Sequence, residues 1–379
     1  MRVYYLPWMS ARRLTTNDNH LRPLDPFCLL LNPIGRNARQ SADSSMPSVH
    51  LQQVDSAEST ATPNTQPTRG CGRKFNFPPT LSQSPTQEIH MKLNKFSKVT
   101  LNNGVQIPWI GLGTWDQGPA AESAVVVAIE AGYRSIDTGS FYQNEAAIGR
   151  GMRKSGVARN ELFLTTKVWN SEQGYEATLR SFEVSLSTLE LDYIDLYLIH
   201  WPVAGKYKET WRALERLYQE GRVKAIGVSN FAIHHLEDLA TNANVVPAIN
   251  QIDLHPLKTS TALRAFCATH EIQVEAWAPL AQGRLFDRKD LATIASHYGK
   301  TVSQVILRWH LQNDIVVIPK SNHPLRLAEN IDIFDFELSP EHVAEISALN
   351  EDLLVLGFDS DHIPDAILVP PAAIWPYSL

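Results

Sequence analysis

The sequence contains little cysteine, no long apolar run and no excess of basic residues. Its three cysteines, Cys28, Cys71 and Cys267, are odd in number and widely spaced. That spacing disfavours a disulfide framework and a cysteine-rich metal cluster, and it favours a reducing, cytoplasmic compartment. No run of about 18 apolar residues suggests a membrane-spanning helix. With 34 basic and 40 acidic residues, the chain lacks the basic face that nucleic acids require.

Residues 1–92 differ in composition from everything that follows. They are rich in Ser, Thr, Pro, Asn and Gln and show no sustained period of 2 or 3.6 residues, which predicts a disordered or low-complexity extension. The apolar stretch that begins at Cys28 is too short for a secretory signal. Regular patterning begins just after Met91, so two alternatives stay open: a native extension, or a gene-model artefact that precedes a native start at Met91.

From about residue 97 onward, short apolar runs alternate with amphipathic helical stretches, which is typical of a parallel sheet flanked by helices. A hairpin comes first, with strands at 99–101 and 105–107 around Asn103-Gly104. Helices are predicted, for example, at 120–131, 176–190, 208–219 and 291–312, the last broken near Gly299. Eight further strands are predicted at 110–115, 134–139, 162–168, 194–200, 223–229, 248–254, 273–279 and 315–320.

Eight strand–helix units in about 280 residues favour one α/β domain, a (β/α)8 TIM barrel. We place this barrel at 93–360 and a C-terminal tail at 361–379. A doubly wound sheet is the structural competitor, but no Gly-x-Gly-x-x-Gly follows an early strand. Gly111-Leu112-Gly113 is only a two-glycine fragment, because Thr114-Trp115 follows it.

Polar side chains close three neighbouring strands at the end where β/α barrels carry their reactive groups. Asp137 ends the second strand and leads to Tyr142, Lys167 ends the third, and His200 ends the fourth. This is the set that a carbonyl reductase needs. Tyr142 would protonate the alkoxide oxygen, Lys167 would lower the pKa of that phenol, and Asp137 would hold Lys167 charged. His200 would orient the carbonyl oxygen.

Each of these residues taken alone has a structural explanation, as a core, edge or capping residue, and their convergence on one rim favours the catalytic interpretation. A metal site is the rival chemistry. No His-x-His closes the first strand, and His234 and His235 are adjacent in a helical pattern, where we expect their side chains to diverge. We therefore expect no metal.

Several blocks of the sequence resemble the aldo-keto reductase superfamily over residues 97–350. They are Gly111 to Trp115, Arg134 to Glu145, Lys167, His200-Trp201-Pro202 and Gly227 to Phe231. The resemblance implies Tyr142 as proton donor, with Asp137, Lys167 and His200 completing a catalytic tetrad. Trp277, where the superfamily usually has Tyr, is similar to the bacterial 2,5-diketo-D-gluconate reductase branch.

The resemblance also implies an NADP site without a dinucleotide fingerprint. Ser229, Asn230 and Gln251 would bind the nicotinamide carboxamide, and Trp277 would stack on its ring. The segment after the last strand resembles the clamp for the adenosine phosphate, where cations near a helix N-terminus suit a 2′-phosphate. His323 stands where related bacterial reductases often have Arg, which weakens the preference for NADPH. The residues of this clamp are Lys320, Ser321, Arg326, Glu329 and Asn330.

By family position, Trp115, Trp201, His200 and Phe141 would line the substrate entrance. The loops there are short, which suggests an open site, and no element is predicted in the tail. The sequence thus predicts a monomeric, NADPH-dependent reductase of aldehydes or ketones, including keto-sugars, with a small-molecule substrate and no nucleic-acid or membrane partner. The alternative is a cofactor-binding sensor or structural protein with little turnover on the same fold.

Overall fold

The computed structural model describes residues 93–370, which all belong to one compact unit. The predicted extension over 1–92 and the last residues of the tail, 371–379, lie outside the described residues. The strands are β1 Lys98–Thr100, β2 Gln106–Pro108, β3 Leu112–Gly113, β4 Ser135–Asp137, β5 Phe163–Val168, β6 Ile194–Ile199, β7 Val223–Ser229, β8 Ile249–Asp253, β9 Gln273–Trp277 and β10 Val316–Val317. The α-helices are α1 Ala121–Ala131, α2 Glu145–Lys154, α3 Tyr175–Leu189, α4 Tyr207–Gln219, α5 Ile233–Ala240, α6 Thr261–Thr269, α7 Lys289–Tyr298, α8 Val302–Leu311, α9 Pro324–Ile331 and α10 Pro340–Ser347.

Strands β3 to β10 form one parallel sheet in chain order, and the sheet closes on itself. Ile110, just before β3, pairs in parallel with Val317 of β10. The N–H of Gly111 donates to the carbonyl of Val317 at 2.8 Å, and that of Val317 donates to Trp109 at 3.1 Å. At Gly113 an added Cβ would lie 2.6 Å from the carbonyl oxygen of Ile318, so only glycine allows these two edges to approach. The eight predicted strands and the (β/α)8 barrel are confirmed.

The two central strands show why the barrel forms. Every residue of β5 and β6 is buried, as expected when helices cover the outside and packed side chains fill the inside. The inward positions are apolar near the N-terminal ends of the strands and become polar toward their C-terminal ends. The polar layer therefore lies at the open rim, above an apolar core.

The predicted hairpin is also present, with Val99 opposite Ile107. Asn102 donates to the carbonyl of Pro247 and Asn103 to that of Lys224, each at 3.0 Å. Both acceptors lie near the N-terminal ends of barrel strands. The hairpin therefore lies at the end of the barrel opposite the reactive rim.

Helix boundaries follow local capping chemistry. Gly299, in the left-handed region at φ 62°, ends α7, which explains the predicted break. Thr301 then begins α8 with a capping box, in which its side chain accepts from the Gln304 N–H. No helix among the described residues is long and apolar enough to cross a membrane.

The segment after α10, here called the tail, crosses the open end of the barrel, and over its described residues 348–370 it contains only a short 3-10 turn at Asp365–Ile367. The Val355 N–H donates to Asp253 at 2.9 Å. Trp169 donates its indole N–H to the carbonyl of Val369, also at 2.9 Å. The ring of Phe358 lies 5.4 Å from that of Trp201. The site is therefore more covered than its short loops suggest.

Candidate active site

Lys167 is the centre of a buried hydrogen-bonded cluster at the rim. Its Nζ lies 2.6 Å from Oδ1 of Asp137, 2.9 Å from the carbonyl oxygen of Thr138 and 3.3 Å from Oη of Tyr142. The lysine is fully buried and Asp137 nearly so. Strands β4 and β5 hold the pair in register, while a 3-10 turn after β4 brings Tyr142 above it. The side chains of Asp137, Lys167 and Tyr142 thus meet at one point.

His200 lies beside this cluster, with its ring 5.7 Å from that of Tyr142 in an edge-on arrangement. Burial, and then the charge of Lys167, hold the pKa of His200 well below its usual value. The imidazole is therefore neutral near pH 7. In that form it has one N–H to donate to a bound oxygen.

The lysine stays charged despite its burial. Burial lowers the pKa of Lys167, but the charge of Asp137 and the hydrogen bonds to Asp137 and Tyr142 raise it more, so the balance lies above the usual value. The expected lowering of the pKa of Tyr142 is wrong for the protein without cofactor. Burial raises that pKa, and the charge of Lys167 offsets the rise only in part. Tyr142 is therefore a neutral phenol that carries its proton at neutral pH.

The predicted nicotinamide-binding residues already bond to one another. Asn230, in the left-handed region at φ 64°, donates from Nδ2 to the carbonyl of His200 at 3.0 Å and to Oγ of Ser229 at 3.1 Å. Its Oδ1 accepts from the indole N–H of Trp277 at 2.8 Å. A tyrosine at 277 has no N–H at this place. The tryptophan therefore orients Asn230 as well as offering a half-exposed ring.

Gln251 reaches across the barrel from β8 to the opposite wall. Its Nε2 donates to Oδ2 of Asp137 at 2.8 Å and to Oε2 of Glu275 at 2.7 Å. Glu275 was not among the predicted site residues. The sequence did contain a sign of it: Glu275 is a carboxylate between the apolar residues Val274 and Ala276, at an interior strand position where a charge needs a partner.

The predicted phosphate clamp surrounds the start of α9. Lys320 and Arg326 are exposed, and in the part of the chain that the structure describes neither forms an ion pair. Ser321 is buried and accepts from the His323 N–H at 3.1 Å. Glu329 accepts from the Thr301 hydroxyl at 2.7 Å, so here it ties α9 to α8, and Asn330 is buried.

Aromatic rings form one wall of the site. Phe141 stacks on Trp169 with ring centres 3.8 Å apart, and Trp169 packs its edge on His200 at 4.9 Å. Trp201 is buried under Phe358, whereas Trp115 is partly exposed. Trp169 was missed in the sequence, although it follows the Lys167 strand directly.

Known proteins are similar to this chain in sequence and in fold. Residues 109–351 match the Aldo/keto reductase family. The chain belongs to this family. It is 56% identical over 256 residues to glyoxal reductase of Bacillus subtilis, covering 67% of this chain and 93% of that protein. It is 46% identical to methylglyoxal reductase DkgA of Escherichia coli, with the same coverage. Among solved structures, a Gox0644 variant in complex with NADPH is 45% identical with a TM-score of 0.65, covering 67% of this chain and 93% of that one.

One expectation about this aldo-keto reductase is wrong. His234 and His235 do not diverge, because both lie in the first turn of α5 and Asp361 of the tail draws them together. Their rings are 4.0 Å apart, and their Nε2 atoms lie 2.9 Å and 3.3 Å from Oδ1 of Asp361. The Ala232 N–H donates to Nδ1 of His235, so in the neutral ring Nε2 carries the proton. The contact with the tail therefore consists of a hydrogen bond between His234 and Asp361 and a close approach of His235 to the same oxygen.

Proposed function

We propose that this aldo-keto reductase reduces small aldehydes and ketones to alcohols, with NADPH as the hydride source and Tyr142 as the proton donor. Family membership makes the chain an NADP-dependent oxidoreductase that acts on C=O and CH–OH groups. The observation that carries the residue assignments is the hydrogen-bonded series from the partly exposed Tyr142 through the buried Lys167 to the buried Asp137, beside a neutral His200.

The chemical step needs both a hydride and a proton. The bound nicotinamide supplies the hydride to the carbonyl carbon. Tyr142 Oη gives its proton to the carbonyl oxygen as negative charge develops there, so the alcohol leaves neutral and the phenol becomes phenolate. Lys167, held charged by Asp137, stabilises that phenolate at 3.3 Å. His200 donates its N–H to the carbonyl oxygen and holds it toward Tyr142.

The chain offers a fitting place for the cofactor. Trp277 presents a half-exposed ring at the end of β9, next to Ser229, Asn230 and Gln251, and these residues would hold the nicotinamide. Lys320 and Arg326 are exposed cations at the N-terminal end of α9 that form no ion pair within residues 93–370, an arrangement suited to a 2′-phosphate. Ser321, Glu329 and Asn330 complete this second group by position.

The substrate that we propose is a small, flat carbonyl compound such as an α-dicarbonyl, with keto-sugars as a second class. The wall of Phe141, Trp169 and Trp201 suits a flat apolar face. Two relatives are named for glyoxal and methylglyoxal. A sensor or structural role with little turnover is not favoured, because these relatives are named as reductases.

A Tyr142→Phe variant tests the assignment. We would follow NADPH oxidation with glyoxal, methylglyoxal, benzaldehyde and a keto-sugar, and NADPH binding by quenching of tryptophan fluorescence. Removal of a positioned proton donor should lower turnover by about 10²- to 10⁴-fold, with NADPH affinity unchanged. Tyr193→Phe, which alters a phenol on the outside of the barrel under Lys224, is the matched control. Equal turnover by Tyr142→Phe and wild type would remove Tyr142 from the mechanism.

We further propose that the protein is a cytoplasmic monomer without nucleic-acid or membrane partners. The buried free thiol of Cys267 supports a reducing compartment, and the acidic balance of the chain supports the absence of nucleic acid. Light scattering on the full chain tests the oligomeric state. A mass near 42.4 kDa is expected.

A further inference from the structure

The barrel interior holds a buried ionisable group, Glu275, that the mechanism above does not use. Glu275 lies on β9, directly opposite Gln251 of β8 in the strand register. Its side chain is fully buried. One carboxylate oxygen accepts from Gln251 at 2.7 Å, and the other has no hydrogen-bond partner among the described residues. A buried carboxyl group in such a place is costly when ionised.

A single donor is shared between two carboxyl groups here. Nε2 of Gln251 faces both Glu275 and Asp137, and these partners settle which end of the amide is nitrogen. Oε1 of Gln251 is consequently turned away from both carboxyl groups. It is the atom left to accept from a ligand, and by position that ligand is the nicotinamide carboxamide.

We propose that Glu275 is a positioning residue for the reduction: it fixes the amide of Gln251 and, by gaining or losing a proton, sets the charge around Asp137 and Lys167. This inference rests on the proposed function. With Glu275 protonated, the charges of Asp137 and Lys167 balance. With Glu275 ionised, the buried group carries one net negative charge, which makes Tyr142 a weaker acid.

The groups that face Glu275 are few. Asp137 comes from β4 and Lys167 from β5, whereas β8 presents the neutral Gln251 and β10 presents Val316 and Val317. Burial, followed by the charge of Asp137, raises the pKa of Glu275 to about 7. Glu275 therefore gains and loses its proton near neutral pH, within the pH range in which such a reductase acts. The reduction rate should decline on the alkaline side of that value.

Two variants separate the two roles. Glu275→Gln keeps an acceptor for Gln251 but cannot ionise, and Glu275→Leu removes both the acceptor and the charge. Glu215→Gln, at another buried glutamate that accepts from the N–H groups of Asn244 and Val245, is the control for a buried Glu-to-Gln change outside the barrel. We would measure single-turnover NADPH oxidation from pH 5.5 to 9 with methylglyoxal, and NADPH affinity by fluorescence quenching.

In wild type and in Glu215→Gln, the single-turnover rate should fall about threefold in one step as pH rises through about 7. A fall of this size is what a rise of about one unit in the pKa of the proton donor, Tyr142, produces at a Brønsted slope of about 0.5. Glu275→Gln should lack that step and bind NADPH like wild type. Glu275→Leu should bind NADPH about tenfold more weakly, because the amide of Gln251 loses the hydrogen bond that it donates to the carboxyl group of Glu275. A step retained in Glu275→Gln, or absent from wild type, overturns the charge role. Wild-type affinity in Glu275→Leu overturns the positioning role, whereas a wild type inactive on all carbonyls refutes the proposed function instead.

Discussion

Replacing Asp137 by Asn isolates what the buried ion pair contributes. The change keeps the shape of the side chain but removes the charge that faces Lys167 at 2.6 Å. It also places an amide where Gln251 now donates. Removing one member of a buried pair leaves the other charge uncompensated, which costs about 3–5 kcal/mol. For a folded unit of about 280 residues the unfolding entropy is roughly 0.6 kcal/mol/K, so a loss of about 4 kcal/mol lowers Tm by about 7 °C.

The assay combines thermal unfolding, followed by circular dichroism, with NADPH oxidation. Asp195→Asn is the matched control, since Asp195 is as buried and pairs with Arg159 and Lys224 at the other end of the barrel. Both variants should lose stability, but only Asp137→Asn should lose activity, by about tenfold or more, because Lys167 then loses the counter-ion that keeps it charged. The double variant Asp137→Asn with Lys167→Met should recover part of the Tm, because it leaves no unpaired charge. A Tm for Asp137→Asn within about 2 °C of wild type, well under the expected shift, would refute this reasoning.

Three more outcomes follow from the same contacts. Folding raises the pKa of Glu275 from 4.5 to about 7, so the folded state holds that proton more tightly than the unfolded chain, and wild type loses stability as pH rises through this window. The Tm of Glu275→Gln relative to that of wild type should therefore rise from pH 4.5 to 7. A Tm difference that stays constant over this range would contradict the prediction. Arg326→Ala should weaken NADPH binding about 10- to 100-fold and leave NADH binding unchanged. Arg212→Ala, at another exposed arginine, is the control, and equal effects of Arg326→Ala on both cofactors would remove Arg326 from the 2′-phosphate site. Trp169→Phe keeps the stacked ring but loses the N–H that binds the carbonyl of Val369, so KM for methylglyoxal should rise a few-fold while NADPH affinity stays unchanged. An unchanged KM would show that the tail does not shape the substrate site.

Strand order and the rim were predictable because each depends on local pattern. Apolar runs of strand length fix β4 to β6, and the polar residue that ends each run must lie at the rim once the strands are parallel. Asp137, Lys167 and His200 were found by that rule alone. Tyr142 follows from it, because a short turn after β4 cannot carry the residue far.

The rest depends on contacts between residues far apart in sequence. Gln251 bonds to Asp137 across the lumen, and no periodicity encodes a bond between opposite walls. The pKa of Tyr142 depends on how deeply the phenol is buried and on Lys167, Asp137 and Glu275, which come from three different strands. His234 and His235 converge on Asp361, which hydrogen-bonds to the His234 ring and lies 3.3 Å from the His235 ring, a contact made more than a hundred residues along the chain.

The tail has a consequence for how this enzyme can evolve. The match to the family ends at residue 351, yet the chain after that point touches Trp169 and Trp201 beside the reactive rim. Substitutions there change the surroundings of both tryptophan rings without changing any residue of the matched domain. If the Trp169→Phe test shows that the tail shapes the substrate site, substitutions after residue 351 offer a route to change which carbonyl compounds are accepted while Tyr142, Lys167, Asp137 and His200 stay the same.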